Sequence, residues 1–224
     1  MKKKVLILFG EKDVYAKKLV LSLKKKTNLK VHYFKKKEEC KKLFKVKSFF
    51  FDYIFSYRSK YILSSSDIKK SKNPPINFHP GPPSYRGFGC INYALYDNSK
   101  YYGITTHVID RKIDNGSIIS VQKFKIDNKD NLESLLKKTH KKLFFEAKKI
   151  INLFIEKPHI LNKLIKDNKK VRWSKNIKSK KDLNNFYKIS KNISSNELNK
   201  IIRSTVYKKF KPFVVFYGKK FFLG

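Results

Sequence analysis

Short apolar runs alternate with segments of helical spacing along the first eighty residues. The run Lys4–Phe9 ends at Gly10 and is typical of a strand buried on both faces. Apolar residues three and four positions apart then predict a helix, and they are Ala16, Leu19, Val20 and Leu23. The same reasoning predicts three more strands and a second helix. The strands are Lys30–Phe34, Phe49–Tyr57 and Ile76–His79, and the helix is Glu38–Val46.

This alternation of strands and helices sets the expected fold class. Strands that alternate with helices form a parallel sheet that is covered by helices on both faces. The sequence therefore predicts an α/β protein with a Rossmann-like core. No Gly-x-Gly-x-x-Gly follows the first strand, so nothing indicates a nicotinamide or flavin dinucleotide.

The second half of the chain begins with a short predicted helix, Ile91–Tyr96, and two predicted strands, Tyr102–Asp110 and Ser117–Ile126. Asp130 and Glu133 have the spacing of a capping box, which predicts the start of a long helix that ends before Pro158. One face of this helix is apolar, and it consists of Leu132, Leu135, Leu136, Leu143, Ala147, Ile150, Ile151 and Phe154.

The composition changes after this helix. Residues 158–193 are polar and rich in lysine, and we expect them to form a linker on the surface. Ser194 and Glu197 then cap a final helix, and Phe213–Tyr217 with Lys220–Leu223 read as a hairpin around a Gly218-Lys219 turn. We therefore expect a main domain over 1–157, the linker over 158–193, and a small α+β extension over 194–224. The phenylalanines of the hairpin could support a homodimer.

The high positive charge raises the question of nucleic-acid binding. Lys and Arg number 54 against 17 Asp and Glu, which gives a net charge of +37. Only five of these residues are arginine, the preferred side chain for bidentate recognition of phosphates and bases, and the lysines are scattered along the whole chain. The composition, which is rich in Lys, Asn, Ile, Phe and Tyr and poor in Ala, favours drift of the coding sequence towards A and T over a dedicated nucleic-acid surface.

The sequence also limits the compartment and the metal chemistry. Lys2–Lys4 and the short apolar run behind them mimic a signal peptide, but the run stops after five residues and no cleavage site follows. No uncharged stretch reaches the length of a membrane span, so we expect a cytoplasmic protein that does not bind membranes. Cys40 and Cys90 are expected to be plain thiols, and their spacing indicates neither a disulfide nor a zinc site. No cluster of metal ligands is apparent.

The polar residues on Ile76–His79 mark a candidate site. Asn77 and His79 are two positions apart, so their side chains lie on the same face of a strand. The strand ends at Pro80-Gly81-Pro82-Pro83, because proline cannot donate to a sheet ladder. In open α/β sheets, ligands bind beyond the carboxyl ends of strands. The pair therefore lies where a ligand is expected.

Three motifs taken together resemble the folate-dependent formyltransferase family. They are Asn77-x-His79, the Tyr85-Arg86-Gly87 turn and Ile113-Asp114-Asn115-Gly116, in which Asp114 follows His79 by 35 residues. The resemblance covers about residues 1–157, with a fainter similarity near Arg203. The motif His79-Pro-Gly-Pro-Pro-x-Tyr85 is most similar to the branch of the family that formylates amino sugars on nucleotides. That branch implies a place in lipopolysaccharide or O-antigen biosynthesis.

The resemblance implies N10-formyltetrahydrofolate as the formyl donor and assigns roles to three residues. His79 would handle protons, Asn77 would donate to the oxyanion of the acyl transfer, and Asp114 would orient the imidazole. It also implies that two loops bind the donor, the first of them largely through its backbone. The residues are Tyr57, Arg58, Ser59, Lys60 and Tyr61 in the first loop, and Asp110, Arg111, Lys112 and Ile113 in the second. Some relatives carry an arginine where this chain has Gly89, so another group would have to take over its role, and Arg86 is one candidate.

Three functions remain open at this point. The first is formyl transfer to a nucleotide-linked amino sugar. The second is methionyl-tRNA formyltransferase activity, in which the basic surface would bind initiator tRNA, although only 67 residues follow residue 157. The third is a basic RNA-binding protein without enzyme activity. The four other histidines are interpreted as ordinary strand or helix-face residues, and they are His32, His107, His140 and His159.

Overall fold

The computed structural model describes residues 2–34 and 36–223 and confirms an α/β fold with a mostly parallel central sheet. The strands are β1 (Lys3–Phe9), β2 (Leu29–Phe34), β3 (Tyr53–Tyr57), β4 (Ile76–His79), β5 (Arg86–Gly87), β6 (Tyr101–Val108), β7 (Ile118–Lys125), β8 (Ile177–Lys178), β9 (Phe213–Phe216) and β10 (Lys219–Phe222). The helices are α1 (Val14–Lys24), α2 (Lys37–Lys45), α3 (Ser65–Ile68), α4 (Cys90–Tyr96), α5 (Leu132–Glu156), α6 (Ile160–Asp167), α7 (Lys180–Phe186) and α8 (Ser195–Thr205).

The six-stranded sheet has the order β2-β1-β3-β4-β6-β7. The strands from β2 to β4 are parallel, whereas β6 is antiparallel to β4. Val5–Phe9 of β1 is almost completely buried, as its apolar sequence predicts. The helix α1 covers part of the sheet, and its four predicted core residues are all buried.

The chain forms two compact units. The first comprises Met1–Pro80, Ile104–Val121 and His140–Arg172, and the second comprises Gly81–Gly103, Gln122–Thr139 and Trp173–Gly224. The first unit contains β1 to β4, the paired portions of β6 and β7, and the carboxyl-terminal portion of α5. In this unit the hydroxyl of Tyr53 donates to the carbonyl oxygen of Phe154 at 3.0 Å, which ties α5 to β3.

The second unit is built around the contact between α4 and α8. Asn92 Nδ2 on α4 donates to the carbonyl oxygen of Ser204 on α8 at 2.7 Å. Phe186 of α7 packs its ring against Tyr93 and Tyr96, with centroid separations of 5.0 and 5.1 Å. The carboxyl-terminal strands β9 and β10 pair antiparallel, as expected for a hairpin.

Several boundaries differ from the sequence predictions. The third strand begins at Tyr53 and not at Phe49, because Asp52 breaks the apolar run and accepts a hydrogen bond from the backbone of Lys4. Asn131, not Asp130, caps α5, since its Oδ1 accepts from Ser134 N at 3.0 Å. The hairpin turn lies at Tyr217-Gly218, where both residues have positive φ angles of 46° and 74°.

The segment predicted as a linker is partly regular. Residues 158–193 contain α6, β8 and α7, and β8 pairs in parallel with β5. Arg86 Nη1 donates to the carbonyl oxygen of Ser174 at 2.7 Å, and the guanidinium lies 5.7 Å from the ring centroid of Trp173. In the second unit, the part of this segment that begins at Trp173 is therefore bound to the loop that follows β4.

Two further observations concern cysteine and the membrane. Cys40 and Cys90 are both free and buried, and burial raises the pKa of the Cys40 thiol to about 11. Over the described ranges 2–34 and 36–223, none of the helices has the length and apolar character that crossing a bilayer requires.

Candidate active site

The pairing of β4 with β6 builds one face of the site. Asn77 lies directly opposite His107 on β6, and His79 lies opposite Thr105. Residues that oppose each other in an antiparallel pair point to the same side of the sheet, and so do residues two apart on one strand. Asn77, His79 and His107 therefore share one face.

The turn after β6 supplies the carboxylate. Because β6 runs antiparallel to β4, this turn begins beside the amino end of β4, where Ile109 N donates to Pro75 O at 2.8 Å. The chain then returns sharply. Asp114 has a left-handed φ of 46°, and a Cβ at Gly116 would lie 1.8 Å from the carbonyl oxygen of Val108. Only glycine permits that approach.

The three predicted catalytic residues come together in the first unit. His79 Nδ1 lies 3.4 Å from Asp114 Oδ1. The same carboxylate oxygen lies 3.6 Å from Nε2 of His107, and Asn77 Nδ2 lies 3.0 Å from that Nε2. His79, His107 and Asp114 are exposed by only 5, 3 and 8%, so water is largely excluded from the contacts among them. Their catalytic roles stay a prediction, to which this geometry is favourable.

His107 is part of this cluster, although its sequence position alone indicated an ordinary strand residue. Its ring contacts both the amide of Asn77 and the carboxylate of Asp114. Its only sequence signal is that a strand places Thr105 and His107, two positions apart, on the same face. That signal becomes useful only when the antiparallel register with β4 is known.

The loop after β3 is held by its own side chains. Tyr57 is fully buried beside Phe78, and burial raises the pKa of its phenol above the ordinary range. Arg58 has a left-handed φ of 52°, and its guanidinium forms an ion pair with Asp13. Tyr61 donates its hydroxyl to Asp67 at 2.9 Å.

The middle of that loop is less buried. Ser59 Oγ accepts from the backbone N–H of Tyr61 at 3.1 Å, and Lys60 is exposed. The structure thus directs the Tyr57, Arg58 and Tyr61 side chains into the protein. A ligand at this loop would be met mainly by the backbone and by Lys60.

The second predicted donor loop leads into Asp114. Asp110 accepts from Lys112 N at 2.8 Å and from Asn115 Nδ2 at 3.0 Å, which closes a tight turn. Arg111 and Lys112 are exposed, and Ile113 is 51% exposed although it is apolar. An apolar side chain presented next to the buried carboxylate suits a planar, partly apolar ligand.

The cluster contains the kinds of group that acyl transfer without a protein nucleophile requires. It contains an imidazole, an amide N–H donor and a buried carboxylate beside the imidazole ring. These groups can move a proton, stabilise an oxyanion and orient the ring, respectively. In the described part of the chain, no group of three or more His, Cys, Asp or Glu side chains could hold a metal ion.

Two curated relatives each match slightly less than half of the chain. The bifunctional polymyxin resistance protein ArnA of Wigglesworthia glossinidia brevipalpis is 38% identical over 102 residues, which is 45% of this chain and 15% of that protein. A methionyl-tRNA formyltransferase of Finegoldia magna is 30% identical over 106 residues, which is 47% of this chain and 33% of that protein. The matched segments are thus a minor part of these relatives.

Solved structures match over nearly the full length. A 4-N formyltransferase from Francisella tularensis has a TM-score of 0.75 at 20% identity, with 99% of this chain and 96% of that chain covered. An N-formyltransferase from Helicobacter canadensis, solved with folinic acid and dTDP-3-aminofucose, has a TM-score of 0.66 at 20% identity, with 98 and 86% covered. Both show that the fold is shared.

The family assignment rests on a match to a family model and not to a single protein. The family model described as formyl transferase matches residues 5–147, which is more than half of the chain and includes Asn77, His79, His107 and Asp114. The chain therefore belongs to the formyl transferase family.

Proposed function

We propose that this protein transfers the formyl group of N10-formyltetrahydrofolate to the amino group of a nucleotide-linked amino sugar. The observation that carries the proposal is the meeting of Asn77, His79 and Asp114 on one side of the sheet in a chain of this family. We assign the chemistry to residues 1–157 and a supporting role to residues 194–224. The cytoplasm remains the predicted location.

His79 is the proposed proton-handling group. The attacking amine loses a proton as it forms its bond to the formyl carbon, and a neutral imidazole can accept that proton near neutral pH. Asp114 Oδ1, at 3.4 Å from Nδ1, holds the ring and stabilises its protonated form. The other ring nitrogen, Nε2, would face the substrate.

Asn77 is the proposed oxyanion donor. The formyl oxygen gains negative charge as the amine attacks, and an amide N–H placed beforehand stabilises this charge without reorganisation. Asn77 is less buried than His79 and shares its face of the sheet, so one N–H can be directed towards the reacting group.

The donor is proposed to lie between the two loops described above. Folate supplies a formyl group that is already activated on nitrogen, so no protein nucleophile is needed. Backbone atoms of Tyr57, Arg58, Ser59 and Tyr61, with the Lys60 side chain, would hold one side. Asp110, Arg111, Lys112 and the exposed Ile113 would hold the other. In support, the Helicobacter canadensis enzyme of the same fold was solved with folinic acid.

The sugar acceptor is supported by the motif His79-Pro-Gly-Pro-Pro and by the structural likeness, over 98% of the chain, to the Helicobacter canadensis N-formyltransferase. The same Helicobacter canadensis structure contains dTDP-3-aminofucose. A role in lipopolysaccharide or O-antigen biosynthesis would follow from such an acceptor. The exposed Phe216, Phe221 and Phe222 of the hairpin support the proposal of a homodimer.

Methionyl-tRNA formyltransferase activity is the second candidate. It is favoured by the net charge of +37 and by the relative from Finegoldia magna. A basic RNA-binding protein without activity is less favoured, because such a protein does not need a buried carboxylate between two histidines.

One assay separates these functions. The protein is incubated with N10-formyltetrahydrofolate and, in separate reactions, with nucleotide-linked amino sugars, charged initiator tRNA and glycinamide ribonucleotide. Mass spectrometry then detects a gain of one formyl group. We expect product from at least one amino sugar. Product from charged tRNA alone would overturn the sugar assignment, and no product from any acceptor would overturn formyl transfer.

A further inference from the structure

His107 faces the Asn77 amide across the β4–β6 ladder and lies against the Asp114 carboxylate. We propose that His107 is a positioning residue, which fixes the Asn77 side chain so that its NH₂ group, and not its carbonyl oxygen, is presented to the formyl oxygen. This inference rests on the proposed function. It assigns His107 no contact with either substrate, and it predicts that the effects of changing His107 arise through Asn77.

The tautomer of His107 follows from its first contact. Nδ1 lies 2.8 Å from the carbonyl oxygen of Val108. A carbonyl oxygen can only accept, so Nδ1 carries a hydrogen and donates it. In the neutral ring, Nε2 then has a lone pair and is a hydrogen-bond acceptor.

The orientation of Asn77 follows from the second contact. Nδ2 of Asn77 lies 3.0 Å from Nε2 of His107, so the amide directs one N–H at the lone pair. The same nitrogen carries a second N–H, which can donate to the formyl oxygen. A flipped amide would place its carbonyl oxygen against the lone pair of Nε2, which is a repulsive contact between two acceptors. The neutral imidazole therefore selects the productive orientation.

Burial makes this selection effective. His107 is 3% exposed, so water is poorly placed to satisfy a flipped amide. Asp114 Oδ1 lies 3.6 Å from Nε2, which is beyond hydrogen-bond distance, whereas the contact with Asn77 is within it. The backbone carbonyl of Val108, the residue next in sequence, holds the ring in place from the far side.

Two substitutions of His107 separate positioning from mere packing. His107→Gln retains an acceptor oxygen near the place of Nε2, whereas His107→Leu fills space without an acceptor. We expect His107→Leu to lower kcat about 10- to 100-fold, a large part of the loss typical for an oxyanion donor, with a smaller change in KM. We expect His107→Gln to recover at least half of that loss on a logarithmic scale. Both proteins are first checked for a cooperative thermal transition.

A double-mutant cycle with Asn77 distinguishes a positioning role of His107 from a merely structural one. In an Asn77→Ala background there is no amide to orient, so His107→Leu should lower kcat by less than about threefold further. If His107→Leu costs as much in that background as in the wild type, or if His107→Gln is as impaired as His107→Leu, the positioning role is wrong.

A measurement without turnover distinguishes this inference from the proposed function. Two-dimensional ¹⁵N–¹H spectra of the ring report which nitrogen carries the proton. We expect Nδ1–H and an unprotonated Nε2 for His107 at neutral pH. Protonation at Nε2 would overturn the positioning role even in an active enzyme, because that nitrogen could not then accept from Asn77. Absence of formyl transfer with the expected tautomer would instead count against the proposed function.

Discussion

At the scale of single residues, one buried carboxylate lies at the centre of the candidate site. Asp114 is 8% exposed, and its Oδ1 lies within 3.6 Å of two imidazole nitrogens. Such a carboxylate can hold the His79 ring in one orientation and stabilise a proton gained by that ring. Most of its effect on catalysis should therefore come from its charge, not from its volume.

Asp114→Asn tests this point because asparagine has nearly the same shape and no charge. We predict that kcat for formyl transfer falls about 10²- to 10⁴-fold, while the KM for the donor changes much less. Steady-state kinetics measures both. Asp127→Asn is the matched control, since Asp127 is an exposed carboxylate that pairs with Lys138 in the second unit. Equal losses in the two variants would contradict a specific role for Asp114.

The sequence predicted Asn77, His79 and Asp114 because each lies in a short local motif with a recognisable neighbour. His107 was not predicted, since its partners come from a strand and a turn that the sequence does not align with it. The register Asn77 opposite His107 is a property of the folded sheet. A single histidine on an apolar strand gives no indication of that register.

At the scale of elements, the turn after β6 determines where the carboxylate lies. The backbone at Gly116 passes so close to Val108 that a Cβ would lie 1.8 Å from its carbonyl oxygen and 2.8 Å from its carbonyl carbon. Val108 N also donates to Ser117 O at 2.9 Å, which fastens the returning chain. The position of Asp114 therefore depends on a glycine two residues away.

Gly116→Ala should displace this turn. We predict a loss of stability of more than about 2 kcal/mol and a fall in kcat per folded molecule of at least about tenfold, because Asp114 moves away from His79. Gly218→Ala is the control, since Gly218 has a φ of +74° but open space around its Cβ position. That change should cost about 1 kcal/mol from backbone strain and leave kcat unaltered. Denaturant titration and kinetics measure the two effects. A fully active Gly116→Ala enzyme would contradict this account of the turn.

The elements themselves were predictable to different degrees. The strand β4 was predicted with its true bounds because prolines flank it at positions 75 and 80. The cap of α5 was placed one residue early, because Asp130 and Asn131 can both cap and only the bonds distinguish them. The helices α6 and α7 were both missed, although Ser179 and Asp182 form a capping box at the start of α7 that the sequence shows.

At the scale of the whole molecule, His140 is expected to contribute to the dependence of stability on pH. Burial, with a smaller contribution from the charge of Arg58, lowers the pKa of His140 from 6.5 to about 4. In the unfolded chain, this histidine takes up a proton as the pH falls below 6.5, whereas the folded protein resists it until about pH 4. Protons therefore favour the unfolded state over this range.

We predict that His140 lowers the free energy of unfolding by about 3 kcal/mol as the pH falls from about 6.5 to about 4. His140→Gln removes the titrating group and should flatten this part of the stability curve. The exposed His159 provides the control, and His159→Gln should retain the wild-type slope. Urea titrations across the range measure the slopes. An unchanged slope in His140→Gln would show that this buried ring does not set the acid sensitivity.

The fold class was accessible from the periodicity of the sequence, whereas the family and the place of Asp114 beside His79 were accessible only through the resemblance of three motifs to the formyltransferase family. The sequence alone left the acceptor open between a nucleotide-linked amino sugar and initiator tRNA, because a fold can serve several acceptors and a single sequence does not show which side chains meet the substrate. The composition favoured drift as the source of the charge, and the fold does not require a nucleic-acid surface.

The most direct test of the central claim follows a labelled formyl group through the site. N10-[¹³C]formyltetrahydrofolate and a nucleotide-linked amino sugar are mixed with the wild-type protein and, in parallel, with His79→Ala, and the labelled amide is followed by mass over time. We predict transfer of the label by the wild type and a rate at least about 10²-fold lower for a folded His79→Ala protein. Equal rates in the two proteins, or no labelled amide with any amino sugar, would contradict the account.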